Sequence, residues 1–210
     1  VSLTASWRIV QLMASYRQER DAVIDWTERS PSDPKVSLIT YRNLDRLPAL
    51  TVFATVTPIF GPWTPQLSAG LIKQWAEVEI DGRPVRCDKP LFRASLNNSL
   101  RLPAGLLLTL DARYRSTGDE RNLYLKDATL VVNLGLTRSF FGDRLSVTLR
   151  GWDVFRGEQG GYTILAPRMV YEQYDRYDSR EFEVTLRYKF NAAKSKYKGT
   201  GAGNRELERL

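Results

Sequence analysis

A strict two-residue alternation near the C-terminal end constrains the fold more than any other feature of this sequence. Apolar side chains occupy every second position of residues 182–190, namely Phe182, Val184, Leu186, Tyr188 and Phe190. The positions between them carry Glu, Thr, Arg and Lys. Successive residues of a β-strand point to opposite faces, so this segment has one apolar and one charged face. A tilted strand of about this length crosses a bilayer.

Similar segments recur back to the N-terminus and divide the chain into about eight predicted strands. We expect the first run, residues 3–27, to form one strand, and Pro48 to mark a bulge or a strand that starts only at Ala49. Short turns are predicted at 58–65, 103–105 and 142–144, and longer connections at 30–35, 79–90, 116–126 and 156–175. Outer-membrane barrels alternate short periplasmic turns with long extracellular loops.

This pattern predicts an all-β fold, an antiparallel transmembrane outer-membrane β-barrel over residues 1–190, followed by a periplasmic tail over 191–210. A soluble β-sandwich is the alternative. Sandwich strands usually run about five to six residues, whereas the strands predicted here run roughly ten to twenty. No stretch approaches 18 consecutive apolar residues, so the sequence contains no transmembrane helix.

Composition excludes several classes of function. The chain has no histidine, which removes Ser-His-Asp triads and nearly all zinc sites. We therefore expect neither an enzyme nor a cofactor or metal site. The net charge of +7 is scattered, with a cluster only at Lys194, Lys196 and Lys198, so it favours anionic lipid over nucleic acid. Cys87 lies in a polar stretch, and we expect an exposed loop thiol there.

Other candidate groups have simpler explanations. The glycine-rich segment 199–203 lacks the Gly-Lys-Ser/Thr sequence and the strand-helix context of a phosphate loop, and a flexible tail is the better interpretation. The acids Asp111, Asp127 and Asp153 fit lumen or rim charges better than a catalytic pair. Five tryptophans could form a sugar platform, but a membrane-interface girdle or loop packing is the favoured use; they are Trp7, Trp26, Trp63, Trp75 and Trp152.

The alternation also assigns faces. We expect Phe182, Val184, Leu186, Tyr188 and Phe190 to contact outer-membrane lipid. Polar positions on other strands would face the barrel lumen, with Thr129, Asn133 and Arg150 as the candidates that line the channel or contact a plug.

Several segments together resemble the end of the TonB-dependent receptor barrels of Bacteroidetes, in the branch known as the outer membrane protein β-barrel family. They are NSLRLPAG (98–105), DARYRSTG (111–118), NLGLTRSFF (133–141), DRLSVTL (143–149), WDVF (152–155) and RYKFN (187–191). The tail segments 194–199, 201–203 and 206–210 are also similar, and YRNL at 41–44 more weakly.

The resemblance implies that the chain is the C-terminal portion of a barrel of about 22 strands with an N-terminal plug and a TonB box. It implies a receptor for uptake of an unidentified small ligand, energised by the TonB system, whose terminal aromatic strand is read by the barrel assembly machinery. The chain begins at Val1 without a leader, so we expect a C-terminal piece of a longer protein, or else a cleaved signal peptide. A stand-alone eight-stranded barrel with a structural or adhesive role is the alternative.

Overall fold

The computed structural model describes residues 1–33 and 35–190, so the predicted tail at 191–210, with its lysine cluster and glycine-rich segment, lies outside the described residues. The fold is all-β. Fifteen strands form in this part of the chain: β1 (Ser2–Trp7), β2 (Val10–Arg29), β3 (Ser37–Val56), β4 (Trp63–Gln74), β5 (Ala76–Ile80), β6 (Arg83–Cys87), β7 (Leu91–Leu102), β8 (Leu106–Arg115), β9 (Gly118–Glu120), β10 (Leu123–Leu125), β11 (Thr129–Phe140), β12 (Leu145–Trp152), β13 (Gln159–Ala166), β14 (Met169–Arg176) and β15 (Glu181–Tyr188).

Nine of these strands form one antiparallel sheet in the order β1-β2-β3-β4-β7-β8-β11-β12-β15. The strands follow one another in chain order, so each pairs with its neighbours through a turn or a longer excursion. Tight connections lie at one end, which we call the short-turn end, and the excursions lie at the other, the long-connection end. In the described residues β1 and β15 are the edges and do not pair with each other, so the sheet is open.

The main sheet has nine strands rather than the predicted eight because the first run folds back on itself. The chain reverses between Trp7 and Val10, which face each other across the β1–β2 ladder. Arg8 has φ 50°, the positive value that tight hairpins require. Arginine is not a typical residue for such a turn, so local sequence did not signal it.

Pro48 does not interrupt its strand, contrary to the expectation from sequence. β3 runs through it, and Pro48 stands opposite Gln18 of β2. The neighbouring ladder with β4 ends at the pair Ala49 and Gln74, one residue away. The Pro48 carbonyl accepts a hydrogen bond from Trp75 N at 3.0 Å. The proline therefore lies where the pairing of β3 with β4 ends and the connection after β4 begins.

Three of the four predicted long connections, 79–90, 116–126 and 156–175, contain strands, whereas the described residues of 30–35 form none. β5 and β6 form a hairpin, and a separate four-stranded sheet has the order β14-β13-β10-β9. The side chain of Gln74 joins two of these connections: its amide nitrogen donates to Cys87 O (3.0 Å) and Arg121 O (2.6 Å), and its oxygen accepts from Arg121 N (2.8 Å). The short strands β9 and β10 pair with each other, and β10 also pairs with β13, some forty residues away in sequence. Three-residue strands whose sheet is completed by so distant a partner leave little local pattern, which is why sequence analysis predicted loops.

A buried apolar cluster lies at the long-connection end. It joins the far halves of β2 and β3 to the β5–β6 hairpin, and its members are Ala22, Ile24, Trp26, Leu44, Leu47, Ala76 and Val78. Cys87 packs against this cluster and is half-buried, so the expectation of an exposed loop thiol was wrong. Burial raises the pKa of the Cys87 thiol to about 11, and Asp119 and Asp88 add to the rise.

In the middle of the β2–β3 hairpin, the buried positions switch between odd-numbered and even-numbered residues. On β3, Leu47 and Ala49 are buried, but Leu44 is buried as well. The change occurs beside Asp21 of β2, which has φ 52° inside a strand, although the register of the ladder is the same on both sides of it. A positive φ rotates the following residues, so the far half of the hairpin turns its even-numbered β2 side chains inward.

Candidate functional site

One face of the main sheet carries a continuous apolar surface. A single row of directly opposed residues crosses five strands, from β7 to β15, through Leu100, Leu108, Leu136, Leu149 and Val184. Parallel rows above and below it are also largely apolar. The solvent-facing side of a sheet in a soluble protein is commonly polar, and a large exposed apolar face marks a membrane or protein interaction surface.

The five apolar residues of the terminal strand fall on this surface or its rim. Val184 and Leu186 of β15 stand opposite Leu149 and Val147, and Tyr188 stands opposite Leu145. Phe182, Val184 and Leu186 are about 70% exposed, and Phe190, just beyond β15, is also exposed. Glu181, Thr185 and Arg187 of β15 are exposed too and Glu183 is partly exposed, because β15 is an edge strand. The structure thus places the predicted lipid-facing set on one side, and its contact with lipid stays a prediction.

The opposite face, which we call the polar wall, carries transverse rows of polar side chains. One row passes through Gln66, Asn97, Asp111 and Asn133 on β4, β7, β8 and β11. The next row toward the short-turn end passes through Thr64, Ser99, Thr109, Gly135 and Arg150. These two rows line a cavity of about 580 Å³.

The three predicted lumen residues all lie on the polar wall but not at one site. Asn133 and Arg150 line the 580 Å³ cavity, together with Trp152. Asn133 also ties the wall to a long connection, because its side-chain oxygen accepts a hydrogen bond from Asp153 N at 2.9 Å. Thr129 lies nearer the long-connection end and lines a second cavity. Their role in a channel or in plug contacts stays a prediction.

The second cavity, of about 620 Å³, lies between the polar wall and the four-stranded sheet of the connections. Its wall side includes Arg93, Arg113 and Arg115, and its other side includes Tyr162 of β13. We call Arg93, Arg113 and Arg115 the arginine cluster. Sequence analysis missed it, because arginine is scattered along the chain and only the two-residue spacing of 113 and 115 hinted at a shared face. The register of β7 against β8 brings Arg93 directly opposite Arg115.

The wall side of this cavity is closely packed at one glycine. Gly70 of β4 stands opposite Phe53 of β3. A Cβ atom added at Gly70 would come within 2.4 Å of the Phe53 ring, so the ring lies directly over the glycine. This places an aromatic face on the polar wall in the same row as Arg93.

The three acids singled out from sequence do not form a catalytic pair. Asp111 lies in the middle of the polar wall, and Asp127 accepts a hydrogen bond from Gly161 N at 2.9 Å. Asp153 is 2% exposed and organises the connection after β12. Burial alone raises the pKa of Asp153, but hydrogen bonds from Ser179 and from the backbone of Glu158 and Gly157 outweigh it, and the pKa is lowered.

The tryptophans occupy several environments rather than one platform. Trp26 is buried in the apolar cluster, with Arg42 over its ring at 3.8 Å. Trp7 and Trp63 lie at the short-turn end, where Trp63 stacks on Phe60 at 5.2 Å. Trp75 follows β4 at the long-connection end, and Trp152 faces the polar wall. Only the short-turn pair fits a membrane-interface position.

Comparison with protein families agrees with the two-faced sheet. The model of the outer membrane protein beta-barrel family matches residues 1–188. The chain belongs to this family. Membership implies localisation in the outer membrane. Barrels of this membrane have short periplasmic turns and long extracellular loops, so we expect the short-turn end to be periplasmic, the long-connection end to be extracellular and the polar wall to face the lumen. No curated protein and no solved structure matches the chain significantly. None of the helical segments in residues 1–33 and 35–190 is long and apolar enough to cross a membrane.

Proposed function

We propose that this chain is the C-terminal barrel segment of a TonB-dependent outer-membrane receptor of the Bacteroidetes type, which takes up a small ligand without catalysing a reaction. The observation that carries the proposal is the open nine-stranded sheet. Strand edges with unpaired N–H and C=O groups cannot persist in hydrocarbon. In the membrane, β1 and β15 therefore need partner strands, and a larger barrel supplies them.

The polar wall supports uptake over a purely structural role. A small barrel of about eight strands fills its interior with side chains. Here the wall carries rows of amide, hydroxyl and charged groups and borders two cavities of about 580 and 620 Å³. Groups of this kind suit a water-filled lumen or contact with a plug. The proposed partners are outer-membrane lipid, a small ligand, the TonB system through other parts of the protein, and the barrel assembly machinery.

Two measurements test the proposal. Residues 1–210 expressed alone should not give a monodisperse, heat-modifiable monomer in detergent, because both sheet edges remain unpaired. Such a monomer would instead identify a small closed barrel. In the native host, deleting the gene should abolish growth on, or uptake of, at least one nutrient, and inactivating TonB should have the same effect. Uptake that persists without TonB would contradict the receptor assignment.

The assembly machinery is tested at the terminal strand. Phe190→Ser in the full-length protein should lower surface levels, measured by protease shaving and blotting, because the terminal aromatic strand is the proposed assembly signal. Phe141→Ser provides the control, since Phe141 is a similarly exposed aromatic in a short turn. Equal surface levels for the two variants would contradict recognition of the terminal strand.

A further inference from the structure

The arginine cluster is only partly paired with acidic side chains. Arg93 and Arg115 stand directly opposite each other on adjacent strands, an arrangement that is destabilising for like charges. Glu120 approaches Arg93 at 3.5 Å. Within residues 1–33 and 35–190, neither Arg113 nor Arg115 has an ion-pair partner. Two of the three guanidinium groups therefore have no direct ion pair in the described part of the chain.

Two donors of the cluster are also unsatisfied. The Nε atoms of Arg93 and Arg115 are shielded from solvent and have no hydrogen-bond partner in the described residues. Buried donors of this kind are rare in native proteins, because each one loses its hydrogen bonds to water without replacement. An acceptor supplied by a bound group would satisfy them.

The charged lining of the cavity has both signs. It consists of the three arginines together with Glu158 and Asp175, and Glu120, outside the lining, pairs with Arg93. The Asp175 carboxylate accepts a hydrogen bond from the Gln173 amide at 2.9 Å. The two carboxylates lie on the side of the connections, so the charged side chains that the polar wall contributes to the cavity are all arginines.

We propose that this cavity binds a small organic anion, whose carboxylate or phosphate group is held by Arg93, Arg113 and Arg115. The planar guanidinium fork binds either group through two parallel hydrogen bonds. An apolar part of the same molecule packs on Phe53 and Val131, which also line the cavity. The volume of about 620 Å³ lies within the range of small-molecule sites.

The position of the cavity relates the site to uptake. Arg115 ends β8 and Arg93 lies near the start of β7, so both are at the extracellular end of the polar wall. A molecule that enters from outside meets this cavity before the amide and hydroxyl rows. This assignment of a ligand class rests on the proposed receptor function, but anion binding can be measured without transport.

The test uses the full-length protein in detergent and three matched probes: benzoate, its neutral isostere benzamide, and phenyl phosphate. Saturation-transfer NMR titrations should show benzoate or phenyl phosphate binding at least about tenfold more tightly than benzamide, since one charge-assisted contact is worth roughly that factor. The benzoate and phenyl phosphate arms decide between a carboxylate and a phosphate group. Equal affinities for all three probes would overturn the proposal.

Variants locate the binding. The double variant R113Q/R115Q should lose roughly tenfold or more in affinity for the anionic probe while benzamide is unaffected. R101Q is the matched control, because Arg101 lies on the same strand and face as Arg93 but toward the periplasmic end, outside the cavity. Unchanged anion affinity in R113Q/R115Q, or an equal loss in R101Q, would contradict the site.

An alternative occupant is an acidic segment of the same protein. In that case the wild type would bind none of the probes, and R113Q/R115Q would lower the amount of assembled protein, which would overturn the proposal. If R113Q/R115Q fails to assemble for any reason, the comparison of benzoate with benzamide in the wild type still decides. Anion binding without TonB-dependent uptake would refute only the receptor function, whereas uptake without anion binding would refute only this inference.

Discussion

The two halves of the β2–β3 hairpin treat their apolar side chains in opposite ways, since one half exposes them and the other half buries them. Toward the short-turn end β2 exposes Leu12 and Tyr16, whereas toward the long-connection end it buries Ile24 and Trp26. Each strand has 20 residues, roughly 66 Å at ~3.3 Å per residue, whereas the apolar band of an outer-membrane barrel is about 25 Å tall. We therefore expect the near half to contact lipid and the far half to contact water, where apolar side chains are buried.

The comparison shows that an alternation of apolar and polar residues does not by itself tell which face of a strand is buried in the protein. In lipid the apolar side chains point away from the protein, and the polar ones point toward its interior. In the extracellular half the burial of Ala22, Ile24 and Trp26 against the β5–β6 hairpin follows the ordinary hydrophobic effect. Asp21, with its positive φ, lies between the half that exposes its apolar side chains and the half that buries them. Three substitutions and one reactivity measurement probe this division.

Trp26→Ala should produce the largest loss of stability, and it should be confined to the extracellular half. Removing a fully buried tryptophan costs about 3–5 kcal/mol through lost burial and the cavity that remains. Limited proteolysis of intact cells should reveal new cleavage in the connection 75–90 while the amount of assembled barrel stays close to wild type. Trp7→Ala is the control, since Trp7 is 69% exposed. Equal cleavage in both variants would show that the buried cluster does not hold this connection.

Leu186→Arg should act on the membrane half. A charge on the lipid face near the midplane costs about 2–4 kcal/mol, whereas changes on the luminal face cost little. We expect Leu186→Arg in the full-length protein to abolish or strongly reduce outer-membrane assembly, measured by protease shaving and blotting. Thr185→Arg, one residue away on the other face, should be much milder. If both variants reach the surface equally, the assignment of the two faces fails.

Asp21→Val should weaken the boundary between the two halves. A β-branched residue at φ 52° is strained by about 1–2 kcal/mol, whereas glycine adopts this conformation freely. The Val variant should show increased hydrogen exchange at the backbone amides around residues 20–24, and Asp21→Gly should resemble the wild type. Greater exchange in the Gly variant than in the Val variant would contradict a conformational role for this position.

Cys87 should show the smallest effect, a change in reactivity without loss of structure. Its pKa is raised from 9.0 to about 11, so at pH 8 its thiolate fraction is roughly 100-fold below that of an ordinary thiol. Alkylation by iodoacetamide should be slower by about this factor and should rise about tenfold per pH unit up to about pH 11. Denatured protein provides the reference rate. Alkylation of the folded protein at the denatured rate would show that the thiol is not held against the apolar cluster.

Much of the sheet could be predicted because membrane strands obey a local rule. The predicted strands at 91–102 and 106–115 agree with β7 and β8, and short turns were predicted where the chain reverses. The hairpin at Arg8, the passage of β3 through Pro48 and the folding of the connections could not be predicted. The Arg8 hairpin is local but has no typical turn residue. At Pro48 and in the connections the deciding interactions come from residues distant in sequence, as in the hydrogen bond from Trp75 N to the Pro48 carbonyl.

The sequence by itself determined the all-β class, the apolar and polar faces of the strands and the outer-membrane family. A two-residue period is a property of neighbouring residues, so it can be recognised without knowledge of any long-range contact. The tertiary structure alone decided where apolar residues are buried and which polar groups meet. Trp26 became a core residue only because β5 and β6 cover it, and Arg93 met Arg115 only through the register of two strands. Register and packing join residues across the chain, so no local pattern contains them.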